Sequence, residues 1–228
     1  MRVSVAILLS VLSVSTAEVS GLSQTVDGPE GQGAKGFELM MEFERPGLPV
    51  PHWKIQFVPD GTGTYIGWPA KAGAAEVKRE FHLSDTTRVQ LRSLLDASNG
   101  MKPCETHIRG LADMGKKSLR YAPVAGTDAT CSFNYTENKP LHTAADMLLG
   151  IAFMIEEGQK LEQLHRFDRL GLDAEMQSLE KAVAGGQAVD PGIIADTLRS
   201  LVKDESLMNR VRSRAVKLLQ DAGVSQGF

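Results

Sequence analysis

The chain has 228 residues, of which 42% are hydrophobic and 23% are charged. This length and balance suffice for a hydrophobic core, and they exclude a disordered chain, a collagen-like fibre and a protein with several membrane spans. The formal net charge is -3, with 25 Lys and Arg residues against 28 Asp and Glu residues, which gives no sign of a nucleic-acid partner.

The N-terminus has the pattern of a secretory signal peptide. Arg2 supplies a positive charge, a mainly apolar run follows over 3–14, and small residues that include Ala17 precede Glu18. We therefore predict cleavage between Ala17 and Glu18 and export as a soluble protein to a periplasmic or extracellular compartment. The apolar run is too short to span a bilayer, and it is removed with the signal. No membrane span is therefore expected in the mature chain. The glycine-rich stretch 18–36 predicts a flexible leader.

The next part, over 37–139, is predicted to be β-rich with one helix. Apolar and polar side chains alternate over 37–43, over 52–57 and, with Arg79 out of pattern, over 77–83, which predicts three strands. The chain is expected to return as a strand over 62–68, and two further short strands are expected over 118–121 and 129–135. Pro59-Asp-Gly61 is typical of a turn between the second and third strands. Ser84 is a typical N-cap for a helix that ends at Asn99-Gly100.

The remaining part, over 140–228, is predicted to be helical, alone or as one domain with the β-rich part. The run 144–155 is apolar at nearly every position, which is typical of a helix buried on more than one side. Asp190 before Pro191 is typical of an N-cap followed by proline in the first turn. The predicted fold class is α+β, with a small antiparallel β-meander packed on a buried helix, followed by a helical C-terminal part.

The two cysteines, Cys104 and Cys131, are the clearest candidate pair. An exported chain meets an oxidising compartment, where two cysteines fit one disulfide bridge. Free thiols are one alternative, and a metal half-site is another, since Cys104 and His107 have C-x-x-H spacing. No further ligands with metal spacing lie nearby, so we predict the disulfide and expect no metal and no cofactor.

A structural interpretation is preferred for three other motifs. The glycines at 61 and 63 lie between two predicted strands, where no helix N-terminus is available to hold a phosphate. Glu162 and His165 give one copy of a ligand pair that di-iron bundles need twice, so an exposed helix face is expected. The loop 112–117 is read as a turn with solvated charges, although loops often carry function.

The last predicted helix is basic. Arg210, Arg214 and Lys217 lie on it, together with Arg212. These cations fit an electrostatic docking strip for an acidic partner or an ordinary solvated face. We favour the solvated face and retain the docking strip as a candidate site.

Three segments resemble uncharacterised exported bacterial proteins. They are DGTGTY at 60–65, ADMGKKSLRY at 112–121 and LHRFDRLGL at 164–172. The resemblance covers most of the mature chain and implies export. Because that group has no assigned activity, the resemblance implies no site residues.

The sequence lacks local catalytic motifs. It contains neither H-E-x-x-H nor G-x-S-x-G, and its five histidines are scattered, so we expect no catalytic residues that can be named. The expected function is an exported, non-catalytic binding or structural protein of the cell envelope, with another envelope protein as its partner. The alternatives are an exported hydrolase with a dispersed active site and an inhibitor of an exported enzyme. A concave pocket that holds two or more perturbed histidines or carboxylates would favour the hydrolase, and a flat or convex surface with an exposed apolar patch would favour the binding protein.

Overall fold

Six antiparallel strands form one sheet in the computed structural model, which describes residues 38–106, 109, 112–123 and 126–224. The strands are β1 (Leu39–Glu44), β2 (His52–Phe57), β3 (Thr62–Trp68), β4 (Val77–His82), β5 (Lys116–Tyr121) and β6 (Ala129–Phe133). Their order is β4-β3-β2-β1-β5-β6. The first four strands form the predicted meander, and the chain then crosses through a helix to add β5 and β6 on the other side of β1.

The signal peptide, its cleavage site between Ala17 and Glu18, and the leader lie outside the described residues. The described residues belong to one compact unit. The β-rich part and the helical part are therefore packed together, whichever way the chain is divided in sequence.

Alternating side chains give the sheet one buried face. Along β1, Leu39 and Phe43 are buried while Glu44 is exposed, and β2 buries Trp53 and Phe57 in the same way. The register places Phe43 directly opposite Trp53, so their rings meet with centroids 5.2 Å apart. Cross-strand pairs of this kind stabilise antiparallel sheets.

Two helices cover the buried face of the sheet. Helix α1 (Asp85–Ala97) begins as predicted, because the Thr87 amide donates to the Ser84 hydroxyl at 3.3 Å. Helix α2 (Lys139–Phe167) is one continuous element of 29 residues. Its first half packs on the sheet in one core, and its second half belongs to a second core made with the later helices. The predicted buried helix and the α+β class are confirmed.

The second core is built from short helices. They are α3 (Leu172–Ala184), α4 (Ala195–Lys203) and α5 (Asn209–Asp221), with a 3-10 turn at Pro191–Ile194 before α4. Their apolar faces meet at Leu179, Leu198 and Val211, which are fully buried. None of the helices that the structure describes combines the length and the apolar character that a bilayer crossing requires.

Two glycines in α2 allow this second layer to pack closely. A Cβ atom at Gly150 would lie 2.6 Å from a methyl group of Val189, and one at Gly158 would lie 2.4 Å from a methyl group of Ile194. Glycine is unfavourable inside a helix because it loses more backbone freedom on folding than alanine does. Here the close approach of the segment after α3 accounts for both glycines.

Asp190 occupies the predicted N-cap position before Pro191, but its side chain does not cap the turn that follows. Asp190 has left-handed backbone angles (φ 59°, ψ 70°), makes no capping hydrogen bond, and precedes a 3-10 turn. Its carboxylate instead accepts a hydrogen bond of 2.7 Å from the amide of Ser84, the N-cap residue of α1. A half-buried amide needs an acceptor, and the Asp190 carboxylate meets this long-range demand instead of capping the local turn.

Candidate functional site

The predicted disulfide is confirmed. Cys104 and Cys131 are bonded, with their Cα atoms 5.6 Å apart. The bridge joins the segment after α1 to β6. His107, which would complete the alternative metal half-site, lies outside the described residues. The disulfide therefore crosslinks the segment after α1 to the edge of the sheet.

A cavity of about 510 Å³ lies between the sheet and the first half of α2. It lies near the ends of β1, β2, β5 and β6. Its walls are largely aromatic and aliphatic, and they include Phe43, Leu48, Trp53, Phe133, Leu149 and Phe153. An apolar cavity with a few converging polar groups is the usual form of a small-ligand site. We call it the α2 cavity.

Lys117 is the unusual group in the α2 cavity. Its side chain follows the inward alternation of β5, and only 6% of the residue is exposed. Its Nζ atom donates to the carbonyl oxygens of Gly115 at 3.2 Å and of Asn134 at 3.1 Å. The ammonium also lies 5.9 Å from the ring centroid of Phe43 and 5.7 Å from that of Phe133. Such distances allow cation–π attraction.

The surroundings of Lys117 disfavour its charge. Burial is the main cause and lowers the pKa of the Lys117 amine. The nearby Asp146 and Asp113 act to raise this pKa, and the like charge of Arg45 acts to lower it. Arg45 also lines the α2 cavity. The positive charges of Lys117 and Arg45 therefore both lie at the wall of the α2 cavity.

Two carboxyl groups of α2 line the opposite wall and are already engaged. The Tyr65 hydroxyl donates to Glu156 at 2.5 Å. Burial raises the pKa of Glu156, against the opposing effect of that hydrogen bond. Asp146 forms an ion pair of 3.0 Å with Nδ1 of His142, one helical turn earlier. Neither carboxylate lies within ion-pair distance of Lys117.

Large apolar side chains stand exposed at the α2 cavity. Met114 is 49% exposed and Phe153 is 37% exposed, and both line the cavity. Single exposed apolar residues are common on protein surfaces, but these two line the same cavity. The cavity therefore opens to the surface through an apolar rim.

Lys117 corrects the sequence interpretation of the loop 112–117. That loop was expected to carry solvated charges, and Lys116 is indeed exposed, but Lys117 is buried. The signal was present in the sequence, because Lys117 has the same strand parity as Leu119 and Tyr121. Composition alone favoured exposure, since lysine is almost never buried.

The predicted basic strip on α5 is paired with α3. Arg210 lies 2.9 Å from Asp173, Arg214 bonds to Glu180, and Lys217 lies 3.7 Å from the same glutamate. These contacts place neutralising carboxylates beside all three cations. The docking strip stays a prediction, with a weaker net charge than the helix alone suggests.

The other motifs singled out in the sequence have structural roles. The glycines at 61 and 63 lie at the hairpin between β2 and β3. Glu162 bonds to Arg79 at 3.1 Å and to Thr197 at 3.1 Å. His165 instead pairs with Asp204 at 2.8 Å, and hydrogen bonds from Ser206 and His165 lower the pKa of Asp204. The motif therefore holds α2 to two different neighbours.

One group on the open face of the sheet has donor atoms close enough for a metal ion. Oxygen atoms of Glu42 and Glu44 and a ring nitrogen of His52 lie within 4.8 Å of one another. His52 already contacts Glu42 at 2.6 Å and stacks on Trp68 with ring centroids 4.2 Å apart. These contacts account for the arrangement as a cross-strand cluster.

No protein-family model matches the chain, and no curated protein sequence matches it. The resemblance to uncharacterised exported proteins stays a prediction. The geometry of the α2 cavity is therefore the basis for a functional proposal.

Proposed function

We propose that the protein is an exported, non-catalytic binding protein whose ligand is a small, largely apolar molecule held in the α2 cavity. The observation that carries the proposal is the cavity itself, about 510 Å³ in volume, walled by aromatic and aliphatic side chains. This volume lies within the range of small-molecule sites, about 300–1,000 Å³. The exposed apolar rim at Met114 and Phe153 provides an entrance.

The lining favours binding over nucleophilic hydrolysis. Among the described residues, no serine, threonine or cysteine lines the α2 cavity. Its histidine, His142, pairs with Asp146 and packs against the ring of Tyr135, with ring centroids 6.1 Å apart, and no hydrogen bond joins His142 to the Tyr135 hydroxyl among the described residues. A nucleophile within hydrogen-bond reach of a base is the usual signature of covalent hydrolysis. The lining of the cavity therefore favours non-covalent binding of a ligand.

Export forms part of the proposal. The signal-peptide pattern and the disulfide between Cys104 and Cys131 support it, because disulfides persist in oxidising compartments. The intact mass of the natively produced protein tests it. A chain that begins at Glu18 supports export, and a chain that retains residues 1–17 with reduced cysteines contradicts it.

The binding proposal is tested with a neutral fluorescent probe, N-phenyl-1-naphthylamine. The wild-type protein is expected to bind it saturably. Leu149→Trp fills the cavity from the wall and should weaken binding about ten-fold or more. Phe167→Trp is the matched control, because Phe167 is on the same helix, is 79% exposed and does not line the cavity.

Two results would count against the binding protein. Equal probe binding by wild type and Leu149→Trp would place the probe elsewhere. Turnover of a generic ester that is lost in Leu149→Trp and kept in Phe167→Trp would favour the hydrolase instead.

A further inference from the structure

We propose that the ligand of the α2 cavity is an amphiphilic anion, a carboxylate on an apolar chain, whose head group is bound by Lys117. This inference rests on the proposed function and adds the chemical class of the ligand. It is carried by the position of a buried ammonium in the wall of a largely aromatic and aliphatic cavity.

The hydrogen bonds of Lys117 leave room for one more acceptor. A protonated lysine has three N–H donors. Two of them are used by the carbonyl oxygens of Gly115 and Asn134. In the part of the chain that the structure describes, Nζ has no other hydrogen-bond partner and no carboxylate within 4.0 Å. The third donor is therefore available to a ligand in the cavity.

Among the described residues, no carboxylate lies within ion-pair distance of Lys117, although Asp146 and Asp113 favour its charge from farther away. Its two acceptors are neutral carbonyl groups, and a buried ion without an opposite charge is energetically costly. The two carboxylates in the cavity wall are committed elsewhere, Asp146 to His142 and Glu156 to Tyr65. A ligand carboxylate would supply an opposite charge and a strong, charge-assisted hydrogen bond.

Arg45 adds a second cation at the same cavity. It follows β1, is half-buried, and has no ion-pair partner among the described residues. A guanidinium binds a carboxylate through two parallel hydrogen bonds more readily than an ammonium does. Because Arg45 and Lys117 line the same cavity, one ligand carboxylate is expected to contact both cations.

The rest of the cavity suits an apolar tail. Leu48, Trp53 and Phe153 line it without offering a charge. A neutral molecule would fill this space, but even one with a hydroxyl acceptor would supply no opposite charge to Lys117. A cationic amphiphile would meet the same apolar walls and two like charges. The expected order of affinity is anion, then neutral molecule, then cation.

The test compares three compounds with the same eight-carbon chain and different head groups. Octanoate, octan-1-ol and octylammonium compete with bound N-phenyl-1-naphthylamine at pH 7. The wild-type protein should bind octanoate about ten-fold more tightly than octanol, as expected for a hydrogen bond to a charged group. Octylammonium should be the weakest competitor.

Lys117→Met removes the charge and keeps a side chain of similar length. It should bind the neutral probe and octanol within about two-fold of wild type and lose the preference for octanoate. Lys116→Met is the matched control, because Lys116 is the exposed neighbour on the same strand. Arg45→Met, at a half-exposed position, should reduce the octanoate preference in part. It replaces Lys117→Met as the test variant if Lys117→Met does not fold.

The outcomes separate the two proposals. Equal binding of octanoate and octanol by wild type, or an octanoate preference that survives in Lys117→Met, overturns the anion inference while probe binding keeps the proposed function. If Lys117→Met does not fold, an unchanged preference in Arg45→Met overturns the inference. If wild type binds none of the compounds and not the neutral probe, the proposed function itself fails.

Discussion

The two cores of the protein are packed with different side chains. The core between the sheet and the first half of α2 contains seven buried aromatic residues, namely Phe43, Trp53, Phe57, Tyr65, Phe81, Tyr121 and Phe133. The core between the second half of α2 and helices α3 to α5 contains only aliphatic side chains and methionines among its described buried residues. Alanines and leucines on short helices fit closely, as in most protein interiors. The α2 cavity lies on the aromatic side, where large planar rings on strands meet a single helix.

The largest expected effect comes from a charge placed in either core. Leu148 and Leu161 are both fully buried on α2, one in each core. Leu148→Asp and Leu161→Asp should each cost several kcal/mol, comparable with the whole stability of a domain, because an unpaired carboxylate is buried. Soluble yield and urea unfolding measure the loss. Gln163→Asp, at an exposed position of α2, is the control.

This pair of variants also tests how separate the cores are. Loss of all structure in both variants would show that the cores fold together. Retention of probe binding by Leu161→Asp would show that the sheet core is independent of the helical one. Melting of Leu148→Asp close to that of wild type would contradict the central position of α2.

The disulfide should act on the aromatic core more than on the helical core. Cys104→Ser with Cys131→Ser opens a ring with a sequence separation of 27. Chain-entropy estimates give about 3.5 kcal/mol for such a ring, and native strain reduces this figure. Melting with and without reductant measures the effect. In the double variant, amide hydrogen exchange should become faster in β5 and β6 first. An equal increase in α3 to α5 would contradict the prediction that the disulfide mainly stabilises the aromatic core.

The helical core is expected to depend on pH through a carboxyl pair. Burial is the main cause that raises the pKa of Glu157 to about 7, and the adjacent Glu175 adds to it. Burial also acts to raise the pKa of Glu175, but hydrogen bonds from Glu157 and from Lys160 outweigh it and lower that pKa. The Lys160 ammonium lies 2.6 Å from Glu175. Glu157, at the contact between α2 and α3, is therefore expected to keep its proton to a higher pH than Glu175 does.

The sign of this effect follows from the proton that Glu157 retains in the fold. The native state binds more protons than the unfolded state between the ordinary glutamate pKa of 4.5 and about 7. Stability is expected to fall as pH rises through that window, by about 1–2 kcal/mol, since Glu175 opposes the trend. Thermal unfolding at several pH values should show a flatter profile for Glu157→Gln. If the pH profile of Glu157→Gln equals those of the wild type and of the exposed control Glu205→Gln, the prediction that Glu157 retains a proton is contradicted.

The sequence predicted the elements better than the contacts between them. The strand β3 was predicted with its observed limits, the N-cap Ser84 is confirmed, and Cys104 and Cys131 were paired correctly. These features depend on a turn between neighbouring strands, on one capping position, or on having only two cysteines. Short-range rules were sufficient for them.

The site could not be predicted, because its polar contacts join distant parts of the chain. Tyr65 and Glu156 are 91 positions apart, and no local pattern pairs them. Asp190 has a typical capping sequence but binds Ser84, 106 positions away. Lys117 had the parity of a buried residue and the composition of an exposed one. In each case a tertiary contact decided between two plausible local interpretations.

The position of α2 after all six strands has a consequence for the order of synthesis. Every strand of the sheet leaves the ribosome before Asn138, the residue that caps α2. Until about residue 155 has been made, the aromatic face of the sheet has only α1 to cover it. A nascent or truncated chain that ends near residue 138 therefore exposes rings that favour aggregation. A chaperone that holds the chain unfolded until α2 is complete would prevent this.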